Sequence, residues 1–265
     1  MNKWVEKSIE IANSSGYLDN LSLIYPSRLL PRRPLDDIDK QQIKSLYEKG
    51  DSATLVRFLL GLTKRRHPFP IEHPYASILR QRPELIQRNP GVFQQLEKMI
   101  MSMPVEDIMR GCERRIDLNR VMGQAFQRWL KQYFSSKGIP FLSEIRFQSY
   151  SNVAFLDGKD KKILDYVNRR LGYNLERGRD FLYRIEDKFL VGEARFLSTA
   201  GGSQSRDLTE TIQFIRSVRG TATAVGVLDG IIWFNNSYVS RLSDLGNDEP
   251  ALTVLLLDEF LKSFR

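Results

Sequence analysis

Residues 179–196 read RDFLYRIEDKFLVGEARF, and the fold turns on how this stretch pairs with itself. Two apolar runs, DFLYRI and FLVGEARF, flank a polar segment at Glu186 to Lys188, the pattern of two strands joined by a tight turn. A hairpin turning about Glu186 and Asp187 joins residues whose numbers sum to 373, and Asp180 and Glu193 make that sum. The two carboxylates are therefore expected to face each other, with Cβ atoms about 4.5–5.5 Å apart. Like charges so placed repel; a divalent cation between them removes the conflict, and hard oxygen ligands suit magnesium. Strand alternation sends Arg195 to the same face as Glu193, where it can sit beside a bound phosphate. An edge hairpin with solvated charges is the plainer reading of the same residues, so the surroundings must decide.

Upstream, Leu118 to Phe134 carries Leu118, Val121, Met122, Ala125, Trp129, Leu130, Tyr133 and Phe134 on one broad stripe, with Gly138 beyond its end, as an amphipathic helix requires. A short strand is expected over Phe141 to Phe147, then a variable, charged stretch. Downstream, the glycine-rich loop STAGGSQS leads to a helix expected to open at Asp207, with Glu210 at capping-box spacing and Leu208, Ile212, Ile215 and Val218 at helical intervals. A strand is expected over Thr223 to Leu228, and Asp229-Gly230 reads as a hairpin turn into IIWF.

The first 115 residues look different. Asp51 caps SATLVRFLLGL after Gly50, and Asn89-Pro90 opens GVFQQLEKMIM, so this half reads as helices joined by proline-marked turns. The turns LPRRP, KRRHPFP and LRQRPELIQR are dense in arginine, which can grip phosphates or simply face water.

Composition narrows the chemistry. The 265 residues are 42% hydrophobic and 27% charged, ordinary for a globular chain with a sizeable core. Cys112 is the single cysteine, which excludes an internal disulfide framework and fits a reducing cytoplasm. The two histidines, His67 and His73, are too few for most zinc sites or for a histidine-driven nucleophile, and read as surface loop residues; carboxylates must carry any catalysis. MNKWVEKSIEIANSSG lacks the apolar core of a signal peptide, and no run approaches the roughly 20 apolar residues of a membrane helix. A cytoplasmic protein is expected. Net charge +8 favours polyanionic partners, because each cation meeting a phosphate releases condensed counterions.

The helix LNRVMGQAFQRWLKQYFSSKGI, the pair RDFLYRIEDKFLVGEARF and the loop STAGGSQS, taken in order, resemble the PD-(D/E)XK nuclease superfamily. More closely they resemble type II restriction endonucleases that cut GATC sites. Those relatives share the thirteen-residue aspartate-to-glutamate spacing, a Gly/Ser-rich loop leading into a helix, and a DG turn before a tryptophan-containing strand. The likeness covers roughly residues 55 to 265 and is strongest from 118 to 234. It implies an α/β fold, a mixed central sheet flanked by helices, with residues 116–265 as nuclease core and 1–115 as a mainly helical region for DNA binding or dimerisation.

By position, the resemblance implies Asp180 and Glu193 as ligands of Mg2+, with the main-chain carbonyl of Ala194 as a further one. Arg195 stands where the family usually has a catalytic lysine. Arginine keeps its proton, so its expected role is to stabilise charge on the reacting phosphate rather than to move a proton. Gln127 stands where a supporting glutamate is common. Ser198, Thr199, Gly201, Gly202, Ser203, Gln204, Ser205 and Arg206 are the expected DNA contacts, since glycine permits close approach and Gln204 and Arg206 can pair with purine edges. Double-stranded DNA is the implied partner, and a palindromic target implies a homodimer. A structure-specific repair or recombination nuclease on the same fold, or a DNA-binding protein with weakened catalysis, are the alternatives.

Overall fold

The computed structural model describes residues 2–25, 34–62, 67–113, 118–199 and 201–264, with the backbone alone of Ser203. Most of LPRRP, part of KRRHPFP, and Ala200 lie outside the described residues. The chain divides into two compact units, Met1–Arg28 with Leu118–Arg265, and Leu29–Asp117. The sequence division at 115/116 thus differs at the amino terminus, where the first two helices belong with the sheet.

The amino-terminal helices are α1 (Lys3–Ala12) and α2 (Tyr17–Ile24). The second unit is helical: α3 (Asp37–Glu48), α4 (Ser52–Leu62), α5 (Ala76–Gln81), α6 (Leu85–Arg88), α7 (Pro90–Met101) and α8 (Val105–Cys112). Asp51 accepts from the Thr54 amide at 3.1 Å, the expected cap of α4, and α7 opens on Pro90. Leu55, Leu59, Leu96, Ile100 and Ile108 are fully buried at the centre of this unit. His67 departs from expectation. It is buried, not a surface residue, and its Nδ1 lies 3.3 Å from the Cys112 carbonyl.

In the first unit, α9 (Leu118–Ser136) is followed by β1 (Phe141–Leu142), α10 (Glu144–Ser149), β2 (Ala154–Leu156), α11 (Asp160–Leu171), β3 (Phe181–Ile185), β4 (Lys188–Leu197), α12 (Gly202–Ser217) and β5 (Ala222–Gly230). A 3-10 turn (Ile231–Trp233), α13 (Asn236–Ser243), β6 (Ala251–Leu252) and α14 (Leu257–Ser263) complete it. Among the described residues the sheet has six strands in the order β1-β2-β3-β4-β5-β6. Its centre is the antiparallel pair β3–β4; β4–β5, β5–β6 and β1–β2 run parallel. The α/β class expected from sequence is the class observed, as a mixed sheet with helices packed on it.

Four local expectations are corrected. The strand expected over Phe141 to Phe147 stops at Leu142, because Phe147 is fully buried from helix α10 instead. The charged stretch before residue 179 holds β2 and α11. α12 starts at Gly202, not Asp207, with Gly201 as its extended N-cap. Asp229-Gly230 is not a hairpin turn and IIWF is not a strand: Asp229 lies opposite Phe196 within the parallel β4–β5 ladder, and the chain then enters the 3-10 turn. Gly230 has φ 92°, and a Cβ there would lie 2.1 Å from the Leu197 carbonyl oxygen, so only glycine fits.

An aromatic cluster locks the hairpin in place. Phe181 and Tyr183 of β3 pack on Phe155 of β2, with ring centroids 6.0 and 5.0 Å away, and Phe134 of α9 closes on Phe155 at 5.2 Å. Burying each such ring is worth about 1.5–3 kcal/mol, so the strand that starts one residue after Asp180 is firmly anchored. The amino terminus is tied to the same unit by polar bonds. Asn2 caps α1 and donates to the Gly246 carbonyl at 2.6 Å, and Ser8 Oγ accepts from the Thr253 amide at 3.0 Å.

Candidate active site

The β3–β4 register pairs Phe181 with Gly192 and Ile185 with Lys188, the sum of 373 read from the sequence. A Cβ on Gly192 would fall 2.0 Å from the Phe181 ring, so this crossing point requires glycine. The ladder ends there. The Asp180 amide donates to the Gly192 carbonyl at 2.9 Å instead of continuing to Glu193, and the Asp180 side chain turns along β4. Its Oδ2 accepts from the Ala194 amide at 2.8 Å. The expected face-to-face pair is therefore modified: both carboxylates sit at the open end of one ladder, but each takes its own partners.

Gln127 of α9 holds Asp180 from the other side. Its Nε2 donates to the Asp180 carbonyl at 2.7 Å and to Oδ1 at 3.3 Å. Glu193 is 2% exposed and lies between two guanidiniums. Arg179 Nη1 donates to Oε2 at 2.8 Å, and Arg195 Nη2 pairs with Oε1. Asp180, Glu193, Ala194, Arg195 and Gln127 are thus brought together.

Burial raises the Asp180 carboxyl to about 6, with the charges of Glu193 and Asp160 pushing the same way against the Ala194 amide and Arg195. Burial pulls the Arg195 guanidinium down, but Glu193 and Asp180 together outweigh it and hold it above its ordinary value. In Arg179 burial wins, and the group is lowered despite Glu193.

Asp180, Ala194, Arg195 and Gln127 open on a cavity of about 840 Å³. Arg120 and Arg128 of α9 line it, as do Lys159 and Lys161 at the start of α11. All four are exposed, and among the described residues none forms an ion pair. Neighbouring cations behave differently: Lys131 pairs with Asp157 at 2.9 Å and Lys162 donates to the Asp157 carbonyl at 2.7 Å. Asp160 and Asp207 line the same cavity, so its wall carries both signs, with these four cations free of ion pairs among the described residues.

The segment from Ser198 to Arg206 is mostly helix start. Thr199, Gly201, Gly202 and Arg206 are exposed, and nothing is described of the Ser203 side chain. Gln204 is buried; its Oε1 accepts from the Thr199 amide at 2.9 Å and its Nε2 donates to Ser198 Oγ at 3.1 Å. Ser205 Oγ accepts from Arg241 at 3.2 Å. Gln204 closes the turn into α12, while Arg206 is the long polar side chain presented to solvent.

Arg179, Tyr25 and Asp229, the buried partner of Tyr25, are not among the site residues expected from the sequence. Arg179 was visible only as a charge opening an apolar strand. Asp229 reads as a turn residue, yet it is fully buried, accepting from Thr253 Oγ1 at 2.6 Å and from Tyr25 Oη at 3.1 Å. Tyr25, which also lines the cavity, comes from the end of α2, and no local pattern links it to the sheet.

The donor set fits a divalent cation. Asp180 faces the cavity with N–H donors but no ion pair among the described residues, and burial raises its carboxyl to about 6. Among the described residues no group of three or more His, Cys, Asp or Glu lies together, so Asp180 and Glu193 are the acidic side chains that a cation here would have to use. Both oxygens of Glu193 are taken by arginines, and Arg195 on Oε1 is the more exposed of the two partners.

No helix among the described residues is long and apolar enough to cross a membrane. No curated protein and no solved structure matches the chain. A family model described as Tsp45I type II restriction enzyme matches residues 2–264.

Proposed function

Because the chain belongs to the Tsp45I type II restriction enzyme family, and so is a site-specific deoxyribonuclease, we propose that it hydrolyses duplex DNA with Mg2+ at a PD-(D/E)XK-type centre formed by Asp180, Glu193 and Arg195. The observation that carries this reading is the end of the β3–β4 ladder. There an under-compensated buried carboxylate, Asp180, and a fixed cation, Arg195, open on a cavity that Arg120, Arg128, Lys159 and Lys161 also line, with a second carboxylate, Glu193, buried against the cation.

Asp180 and Glu193, with the Ala194 carbonyl, are the residues that hold the ion. When bound, it supplies positive charge to the phosphoryl group and acidifies water. Arg195, kept protonated by its neighbours, offers a fixed positive charge to the reacting phosphate. Gln127 sets the orientation of Asp180 and supplies no charge of its own. Arg120, Arg128, Lys159 and Lys161 suit the flanking phosphates. The segment Ser198 to Arg206 meets the bases, with Arg206 reaching out and Gln204 shaping the backbone beneath it. A palindromic target calls for a symmetric homodimer, one subunit for each strand.

The test is digestion of plasmids of known sequence with magnesium or with chelator, followed by sequencing of the ends. Discrete, magnesium-dependent fragments sharing one target are expected, and the ends also test the resemblance to GATC-cutting enzymes. Cleavage without sequence preference, or undiminished in chelator, overturns the proposal.

A further inference from the structure

The residues just before Asp180 are fastened to α12 twice. Arg177 pairs with Glu210, and the guanidinium of Arg179 lies 4.0 Å over the ring of Phe214; Glu210 and Phe214 are one turn apart on that helix. Between the two arginines, Gly178 is pressed against Asp160, where a Cβ would fall 2.4 Å from the Asp160 Cβ. Arg179 has a side-chain exposure of 9%, and its Nη1 holds Glu193 Oε2 at 2.8 Å. Its Nε finds no partner among the described residues.

Fold stability explains this arrangement poorly. A buried ion pair recovers little more than the cost of desolvating its two charges, and an apolar pair of similar volume serves a core as well. Position explains it better. One guanidinium touches both the glutamate of the site and the helix whose first turn, from Gly202, completes the segment Ser198 to Arg206. By taking Oε2, Arg179 leaves Oε1 as the oxygen on the side of Arg195 and the cavity.

We propose that Arg179 is a positioning residue that fixes Glu193 relative to α12 and so orients the glutamate for the metal. The proposal rests on the reading of Glu193 as a metal ligand, and its test separates the two. Binding of Mn2+ alone to the full chain is followed by electron paramagnetic resonance for wild type, Arg179→Lys, Phe214→Leu and Glu193→Gln. Duplex affinity is measured in chelator for each.

Arg179→Lys keeps the charge but loses the planar fork and the stack, and is expected to weaken Mn2+ binding by about tenfold, the usual scale for a residue that orients a ligand. Its duplex affinity is expected to stay within about twofold of wild type, a split that general loss of structure does not produce. Phe214→Leu retains Arg179 and most of the apolar volume; it is expected to shift Mn2+ binding less, in the same direction, and decides the matter if Arg179→Lys fails to fold. Mn2+ binding unchanged in both variants but weakened in Glu193→Gln overturns the positioning role while leaving the site reading intact. Mn2+ binding unchanged in Glu193→Gln overturns both.

Discussion

At Asp180 the fold works against ionisation. Its carboxyl is raised from an ordinary 3.8 to about 6, chiefly by burial. The unfolded chain therefore releases this proton first, so the stability contributed by the group is present below about 3.8 and is lost as pH rises through about 6. Asp180→Asn can still accept the Ala194 amide but has no charge to bury. In chelator it is expected to melt higher than wild type at pH 7, by an equivalent of about 1–3 kcal/mol, with the difference shrinking towards pH 4. Thermal unfolding at several pH values checks this; a variant less stable than wild type at pH 7 speaks against a strained carboxylate. Arg195 allows a second residue-scale test. Arginine does not lose its proton at working pH, so Arg195→Lys keeps the charge and is expected to retain partial activity, whereas Arg195→Ala is expected to lose about a hundredfold or more in single-turnover cleavage. An alanine variant as fast as wild type places Arg195 outside the chemistry.

At the scale of elements, α12 shows where local sequence stops being sufficient. Gly202 to Ser205 reads as a loop because glycine and serine have weak helix propensity. The segment is nevertheless helical, because long-range and side-chain bonds support it: Gln204 to Ser198 and Thr199, and Arg241 to Ser205. The same holds for Asp229-Gly230, a turn by local chemistry and a strand end by virtue of the two parallel neighbours of β5 and the buried partners of Asp229. The hairpin register was legible because period-two alternation and a short polar turn leave one pairing. Spacing and the family resemblance single out Asp180, Glu193, Arg195 and Gln127, which the fold brings together; their role as site residues is our proposal. Arg179 and Tyr25 are not singled out, since their roles depend on contacts with α12 and with Asp229 that no local spacing encodes. For α12 itself, Arg206→Ala is expected to reduce discrimination between cognate and random duplex by about 1–3 kcal/mol, the worth of a bidentate base contact. Gln204→Ala is expected to act through the turn, lowering stability as well as cognate binding. Equal losses on both duplexes for Arg206→Ala assign it to the DNA backbone.

Over the whole molecule the net charge is +8, and part of the positive charge faces the cavity that Asp180 opens on. Arg120, Arg128, Lys159 and Lys161 line the cavity that Asp180 opens on, while nearby lysines are spent on internal partners. Each substitution of these four by alanine is expected to weaken cognate and random duplex alike and to reduce the slope of log affinity against log salt by about 1. An unchanged slope removes that residue from the phosphate path. The helical unit Leu29–Asp117 has its own buried core, and we assign DNA contact or dimer formation to it as a proposal. The central claim concerns the end of the β3–β4 ladder. It is tested most directly by single-turnover cleavage of one cognate duplex at saturating magnesium, comparing wild type with Asp180→Asn and Glu193→Gln. Each variant is expected to bind the duplex within severalfold of wild type and to cut it at least about a hundredfold more slowly. Cleavage near the wild-type rate by either variant contradicts the account.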